Sequence, residues 1–274
     1  MGKIDFDHAK LGFEKYLRNF DLENSKIRLK QEHTFGVVKA ADYICSREGM
    51  GEEDRELALL IALLHDIGRF EQLKVYNSYD DNRFDHAMFG VRLLFEEGEI
   101  RKFILSGDYD DIIRQAIAFH SLYSLPEVQD PRTLLHCKII RDADKLDNFR
   151  VKSVDSLEAH FDLTREEIQR EGVSENVLQA VREHRCVYRE ERKTHLDMWI
   201  SYLAFIFDLN FPSSFRFIQE NDYINRCIDR MEYEEKNTRE AMEEVRKICL
   251  EYVQENKNCV KTRLNFPETD MHFC

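Results

Sequence analysis

Apolar residues along this chain recur mainly at spacings of three and four, the period of a helix with one buried face. No stretch alternates as a half-buried strand would. The pattern predicts a first helix over roughly Ser25 to Ser46, with Ile27, Val37, Val38, Ala41 and Ile44 turned inward and Gly49 just past its end. A second is predicted from Glu52 to Ile67, opening on an acidic turn that suits the positive end of the helix dipole and closed by Gly68. Within it the segment LLIALLHDIGRF is apolar until His65 and Asp66 interrupt it in the last turn.

The polar, aperiodic stretch Gln72 to Arg83 reads as a loop, followed by a helix from Phe84 to Glu97 with His86 in its first turn. Another helix, Asp108 to Ser121, ends on His120. Asp130 and Pro131 supply an N-cap and a proline at the first helical position, and Thr133 to Arg150 continues as a helix with Asp144 at its middle. Beyond a polar connection after Val151 come helices over Ser174 to Arg192, His195 to Phe207 and Tyr223 to Asn256. The expected fold is all-α, without repeats or low-complexity tracts.

Composition narrows the function classes. With 274 residues and 43% hydrophobic content the chain can fill a genuine core. No apolar run approaches the ~20 residues that span a bilayer, and no signal sequence is legible, so no membrane partner is expected and the expected location is the cytoplasm. The 7 cysteines show no CxxC spacing and read as reduced thiols. A formal net charge of −13, spread over the chain, argues against binding long nucleic acid through its phosphates. A small phosphorylated ligand stays compatible with it, held most simply through metal ions.

His33, His65, Asp66, His86, His120 and Asp144 each lie on or at the end of a predicted helix with an apolar face. One such histidine alone is more often hydrogen-bonded to a carbonyl than bound to a metal. Several imidazoles and carboxylates in one core are costly unless paired, and a divalent cation satisfies them together.

The order of these residues resembles a family. A His on one helix, an adjacent His-Asp at the end of the next and an Asp on a later helix are the signature of the HD-domain superfamily of metal-dependent phosphohydrolases. The run LLHDIGR at residues 63–69 looks like that family's LLHDIGK/R element, and DADKLD at residues 142–147 looks like its DADxLD element. With Gln31-Glu32-His33 and Asp85-His86-Ala87, the resemblance covers about residues 25 to 150. It implies an HD-domain-like helical bundle over residues 1–150, with 151–274 a C-terminal helical extension packed on it.

The resemblance further implies a first metal held by His33, His65, Asp66 and Asp144, with His86 and His120 the added pair of the two-metal members and Asp66 bridging. Asp142 is the neighbouring alternative to Asp144. One or two divalent ions among Mn, Fe, Co, Ni and Mg suit such a shell, and two metals suit hydrolysis of a phosphomonoester or phosphodiester of a small metabolite, a nucleotide above all. The same ligand set also resembles the superfamily's di-iron oxygenases, and a non-catalytic metal or ligand sensor is the third reading.

Asp66 and Arg69, which follows the His-Asp turn, and Lys145, beside Asp144, are the candidates for the chemistry itself. A surface salt bridge for Arg69 and a solvent-facing Lys145 are the bland alternatives. Asp147 lies one turn after Asp144 and could orient a ligand or form an ordinary helix salt bridge. The loop Val75 to Arg83 should border the pocket, with tyrosines that could stack on a base. Lys193 to Trp199 reads either as a lid or, more simply, as a hydrophobic contact face, and the charged helix from Tyr223 as a solvated face with a possible oligomer seam. His136, His160, His184, His195 and His272 lack the ordered spacing and read as satisfied or exposed.

Overall fold

The computed structural model describes residues 3–79, 84–154 and 164–258, and among them there is no strand. The helices in chain order are α1 (Phe6–Leu17), α2 (Ser25–Arg47), α3 (Glu52–Leu64), α4 (Ile67–Tyr76), α5 (His86–Val91), α6 (Asp110–Phe119), α7 (Pro131–Val154), α8 (Arg165–Gln169), α9 (Glu175–Arg182), α10 (His195–Leu203), α11 (Pro212–Glu220), α12 (Tyr223–Ile228) and α13 (Lys236–Asn256). An all-α bundle is what the period of the apolar residues requires.

Three helices frame the candidate chemistry. Helix α2 packs along both α3 and α7, and α6 closes on α7. Helix α3 is apolar on every side from Leu57 to Leu64, so it runs through the middle of the core rather than along its surface. Helix α7 starts as its sequence dictates: Asp130 Oδ2 accepts from the Thr133 amide at 2.7 Å, and Pro131 needs no donor in the first turn. It continues past residue 150 to Val154.

Gly68 does not end the second helix. Helix α3 stops at Leu64, the chain turns at Asp66 (φ −107°, ψ 19°), and α4 begins at Ile67, with Gly68 in its first turn. The glycine is there for close approach. A Cβ on it would stand 2.3 Å from the His86 carbonyl oxygen and 2.7 Å from the Gly90 amide nitrogen, so α4 and α5 meet backbone to backbone. The expected loop from Gln72 is therefore helical as far as Tyr76, and Asn77 caps it in a left-handed conformation (φ 46°). Residues 80–83 of that loop lie outside the described residues.

Other boundaries shift for local reasons. Helix α1 was not legible in the pattern, although Asp5 caps it and Ala9, Phe13 and Leu17 form its buried face. The expected helix from Phe84 is α-helical over α5 and then widens into a π-turn at Arg92–Glu96. Helix α9 stops at Arg182 because His184 turns left-handed (φ 53°). The α-helical part of the aromatic-rich segment ends at Leu203 and tightens into a 3-10 turn over Ala204–Asp208. Instead of one long charged helix, residues 223–256 form α12 and α13 with a break between them.

Helices α11 and α12 pack on α7, and α11 also reaches α2, so the C-terminal part of the chain lies against the helices that frame the site. Trp199 is buried and its Nε1 donates to the Cys227 carbonyl at 3.2 Å, which makes α10 a core contact face rather than a lid. Cys45, Cys137, Cys227 and Cys249 are free thiols, each pushed up to about 12 by burial. None of the described helices is long and apolar enough to cross a membrane.

Candidate metal centre

Four helix ends and two helix faces converge on Asp66. His33 comes from the middle of α2, His65 and Asp66 from the turn between α3 and α4, His86 from the start of α5, His120 from just past α6, and Asp144 from the middle of α7. The apolar length of α3 fixes the His65–Asp66 turn in the core. All of these side chains are buried except that of Asp144, which is 21% exposed and so marks the side on which the site opens.

Hydrogen bonds at the far side of the rings aim the remaining nitrogens inward. His65 Nδ1 donates to the Ala62 carbonyl at 2.8 Å and His120 Nδ1 to the Ile117 carbonyl at 2.7 Å, leaving both Nε2 atoms as lone-pair donors to a cation. His33 Nδ1 bonds Asp147 Oδ2 at 2.7 Å. Around the first cluster, His33 Nε2 lies 3.0 Å from Asp144 Oδ1 and 3.8 Å from Asp66 Oδ2, while His65 Nε2 lies 3.2 Å from Asp66 Oδ2 and 4.0 Å from Asp144 Oδ1. An octahedral cation with bonds of about 2.1 Å sets neighbouring donor atoms about 3.0 Å apart and opposite ones about 4.2 Å. The separations fall in that range.

The donor set also asks for a cation. His65 Nε2 and Asp66 Oδ1 are buried without a hydrogen-bond partner among the described residues. His65 Nε2 faces Asp66 Oδ2 as one acceptor faces another, an arrangement that only a proton or a metal ion between them relieves. Two sets of ligand atoms gather closely enough to hold an ion: His33, His65 and Asp144, and His65, Asp66 and His120. His86 Nε2 lies 3.3 Å from Asp66 Oδ1 and 3.2 Å from His120 Nε2, so both expected additional histidines are on the Oδ1 side of the shared carboxylate.

Charge is arranged to keep the carboxylates ionised. Burial opposes ionisation of Asp66, but the Lys30 ammonium holds its carboxyl well below the usual range. Asp144, 21% exposed, is likewise held far below it against the cost of desolvation, through its bond to His33. Burial and the Lys30 ammonium disfavour a charged His33, yet its hydrogen bonds to Asp144 and Asp147 carry it above the ordinary histidine value.

Two cations flank Asp66. The Lys30 ammonium, one turn before His33 on α2, sits 2.6 Å from Asp66 Oδ2. On the other oxygen, Arg69 brings Nε to 3.9 Å, while Nη2 donates to His86 Nε2 at 3.1 Å and Nη1 to Gln72 at 2.7 Å and the Tyr79 carbonyl at 3.3 Å. Arg69 is therefore buried beside Asp66 and His86 and not in a surface salt bridge. Lys30 was missed; its only signal is the spacing of three that puts it on the same face as His33.

Lys145 is not brought to the ligand atoms. Its Nζ bonds Asp208 at 2.7 Å and the Arg141 carbonyl at 3.3 Å, because one step along α7 turns it about 100° from Asp144. Asp142 faces away as well: it accepts from the amides of Asn210 and Phe211 and from Ser214 Oγ, and burial pushes its carboxyl up to about 6. That leaves Asp144 as the α7 carboxylate at the centre. Tyr79 ties the loop to α2 through its hydroxyl on the Lys26 carbonyl at 2.7 Å, with its ring 5.9 Å from the Lys30 ammonium.

The histidines without the ordered spacing lie elsewhere. His136 bonds Asp54 at 3.1 Å, His195 bonds Glu171 at 2.8 Å, and the His184 ring stacks near Phe207. His160 and His272 lie outside the described residues.

A helical bundle that gathers histidines and aspartates from successive helices around a shared carboxylate is the architecture of a metal-dependent hydrolase domain. Residues 31–149 match the family model of the HD domain, which supports membership of that stretch in the HD superfamily of metal-dependent phosphohydrolases. The match begins two residues before His33 and ends two after Asp147. Neither a curated protein nor a solved structure matches the chain.

Proposed function

We propose that this protein is a phosphohydrolase that cleaves a phosphomonoester or phosphodiester of a small metabolite, with a nucleotide as the favoured substrate. His33, His65, Asp66 and Asp144 are assigned to one divalent ion, and His86 and His120, with Asp66 shared, to a second. The observation that carries the reading is the pair of opposed acceptors, His65 Nε2 and Asp66 Oδ2 at 3.2 Å, within a donor set spaced for octahedral coordination. Ions bound there would supply an activated water and stabilise charge on the phosphoryl oxygens.

The chain's own residues do the rest. His33 and His65 stay aimed by Asp147 and the Ala62 carbonyl, so the donor atoms need not reorganise when charge develops. Arg69 presents a guanidinium beside Asp66, suited to a phosphoryl oxygen, and Lys30 adds a second positive charge on the opposite side. Lys145 is left out of the catalytic set and assigned to its pair with Asp208.

The test is a panel of phosphoesters, including nucleoside monophosphates and cyclic nucleotides, assayed with Mn²⁺, Co²⁺ or Mg²⁺ and with a chelator. Phosphate release or diester opening that requires metal and disappears in Asp66→Ala is expected. Oxygen consumption by an iron-loaded protein that leaves every phosphoester intact would overturn the proposal.

A further inference from the structure

Arg141 is 1% exposed, buried more deeply than any other arginine or lysine described, and it touches no candidate ligand atom. Its Nη1 donates to the carbonyls of Phe119 at 2.9 Å, His120 at 3.4 Å and Leu122 at 2.7 Å, and its Nη2 to the Tyr123 carbonyl at 3.4 Å. These carbonyls lie at and just beyond the end of α6, where a helix offers few amide donors; of the four, the Phe119 carbonyl also takes the Leu122 amide at 3.4 Å. The His120 ring bonds the Ile117 carbonyl within α6. The turn that carries this histidine is thus held from two sides, its ring by α6 and its backbone by a guanidinium from α7.

That guanidinium is held in turn by the C-terminal part of the chain. Arg141 Nη2 donates to Asp208 Oδ2 at 2.6 Å, and the same oxygen takes Lys145 Nζ at 2.7 Å. Asp208 ends the 3-10 turn after α10 and lies outside the stretch that matches the HD domain. One carboxylate therefore neutralises two buried cations behind the His120 turn. Without its charge, Arg141 has no anionic partner to fix the fork, and the carbonyls of the turn lose their common donor.

We propose that Arg141 and Asp208 are positioning residues for His120, so that the C-terminal part of the chain governs how well the His86 and His120 side of the centre binds its ion. The metal half of this statement rests on the reading under Proposed function; the positioning half does not. Asp208→Asn in the full chain tests both, and Arg141→Lys, which keeps the charge and loses the fork, carries the test if the first variant does not fold.

The first readout is imidazole ¹⁵N and ¹H NMR of protein stripped of metal with a chelator. Exchange of the His120 Nδ1 proton is expected to quicken at least tenfold, while the His65 Nδ1 proton, bonded in the same way to Ala62, stays unchanged. The second is Mn²⁺ titration, in which binding on the His120 side weakens at least tenfold, the other ion is unaffected, and Asp208→Glu restores part of the loss. Unchanged exchange at His120, or equal quickening at His65 and His120, would overturn the positioning role. A wild-type protein that binds a single ion but shows the His120-selective exchange would contradict the two-ion assignment and support the positioning.

Discussion

His33 hydrogen-bonds Asp147 Oδ2 through Nδ1 at 2.7 Å, and the carboxylate can stand there because residue 36 is glycine. A Cβ on Gly36 would lie 1.8 Å from Asp147 Oδ1. Helices α2 and α7 therefore approach closely at the point where one aims a ligand of the other. Arg150 closes the arrangement, with Nε 2.6 Å from Asp147 Oδ1.

Gly36→Ala should consequently behave like a ligand-orientation defect. Alanine favours a helix interior by about 1 kcal/mol over glycine, but here the displaced carboxylate outweighs that gain. Both Gly36→Ala and Asp147→Asn are expected to weaken metal binding by about 10- to 100-fold, the usual effect of losing an orienting partner. Competition with a fluorescent chelator measures it.

The contact between Gly68 and the α5 backbone makes a separate prediction. Gly68→Ala forces α4 and α5 apart and should destabilise the fold by about 1–3 kcal/mol, with His86 displaced from Asp66. Thermal unfolding reads the first effect. Loss of one bound ion in Mn²⁺ titration reads the second.

These two glycines show where sequence reading reaches and where it stops. The period of the apolar residues was enough for an all-α fold, and the succession His33, His65-Asp66, His86, His120, Asp144 named side chains that the structure brings together. Gly68 was misread because a glycine after an apolar run looks the same whether it ends a helix or admits another backbone. Lys30, Gly36, Arg141 and Asp208 matter through partners 36 to 111 residues away or through carbonyls, and local pattern carries no trace of such contacts. The spacing of Asp147 from Asp144 singles it out, but only its distance to His33 separates an orienting carboxylate from a helix salt bridge.

Stability of the chelated protein should depend on pH through the same groups. His33 is raised, so its contribution is full below about pH 6.5 and lost as the pH rises through its folded value. Asp144 is depressed, so its contribution is present above about pH 4 and lost as the pH falls. The gap in unfolding temperature between wild type and His33→Gln should be wider at pH 5.5 than at pH 9. For Asp144→Asn it should be wider at pH 7 than at pH 3.

Lys30→Met removes a positive charge 2.6 Å from Asp66 Oδ2. Affinity for a divalent cation should rise about tenfold, since the carboxylate no longer shares its charge, while inhibition by inorganic phosphate weakens. Calorimetric titration with Mn²⁺, followed by phosphate titration of the loaded protein, separates the two effects. Unchanged affinities would show that Lys30 acts on neither.

The central claim is that divalent ions sit among His33, His65, Asp66, His86, His120 and Asp144. Anomalous diffraction at the Mn absorption edge, from crystals grown with Mn²⁺, tests it most directly. Two peaks are predicted, one on each oxygen of Asp66, the first between His33, His65 and Asp144 and the second beside His86 and His120. An ordered site with Lys30 still on Asp66 and no peak at the carboxylate would contradict it.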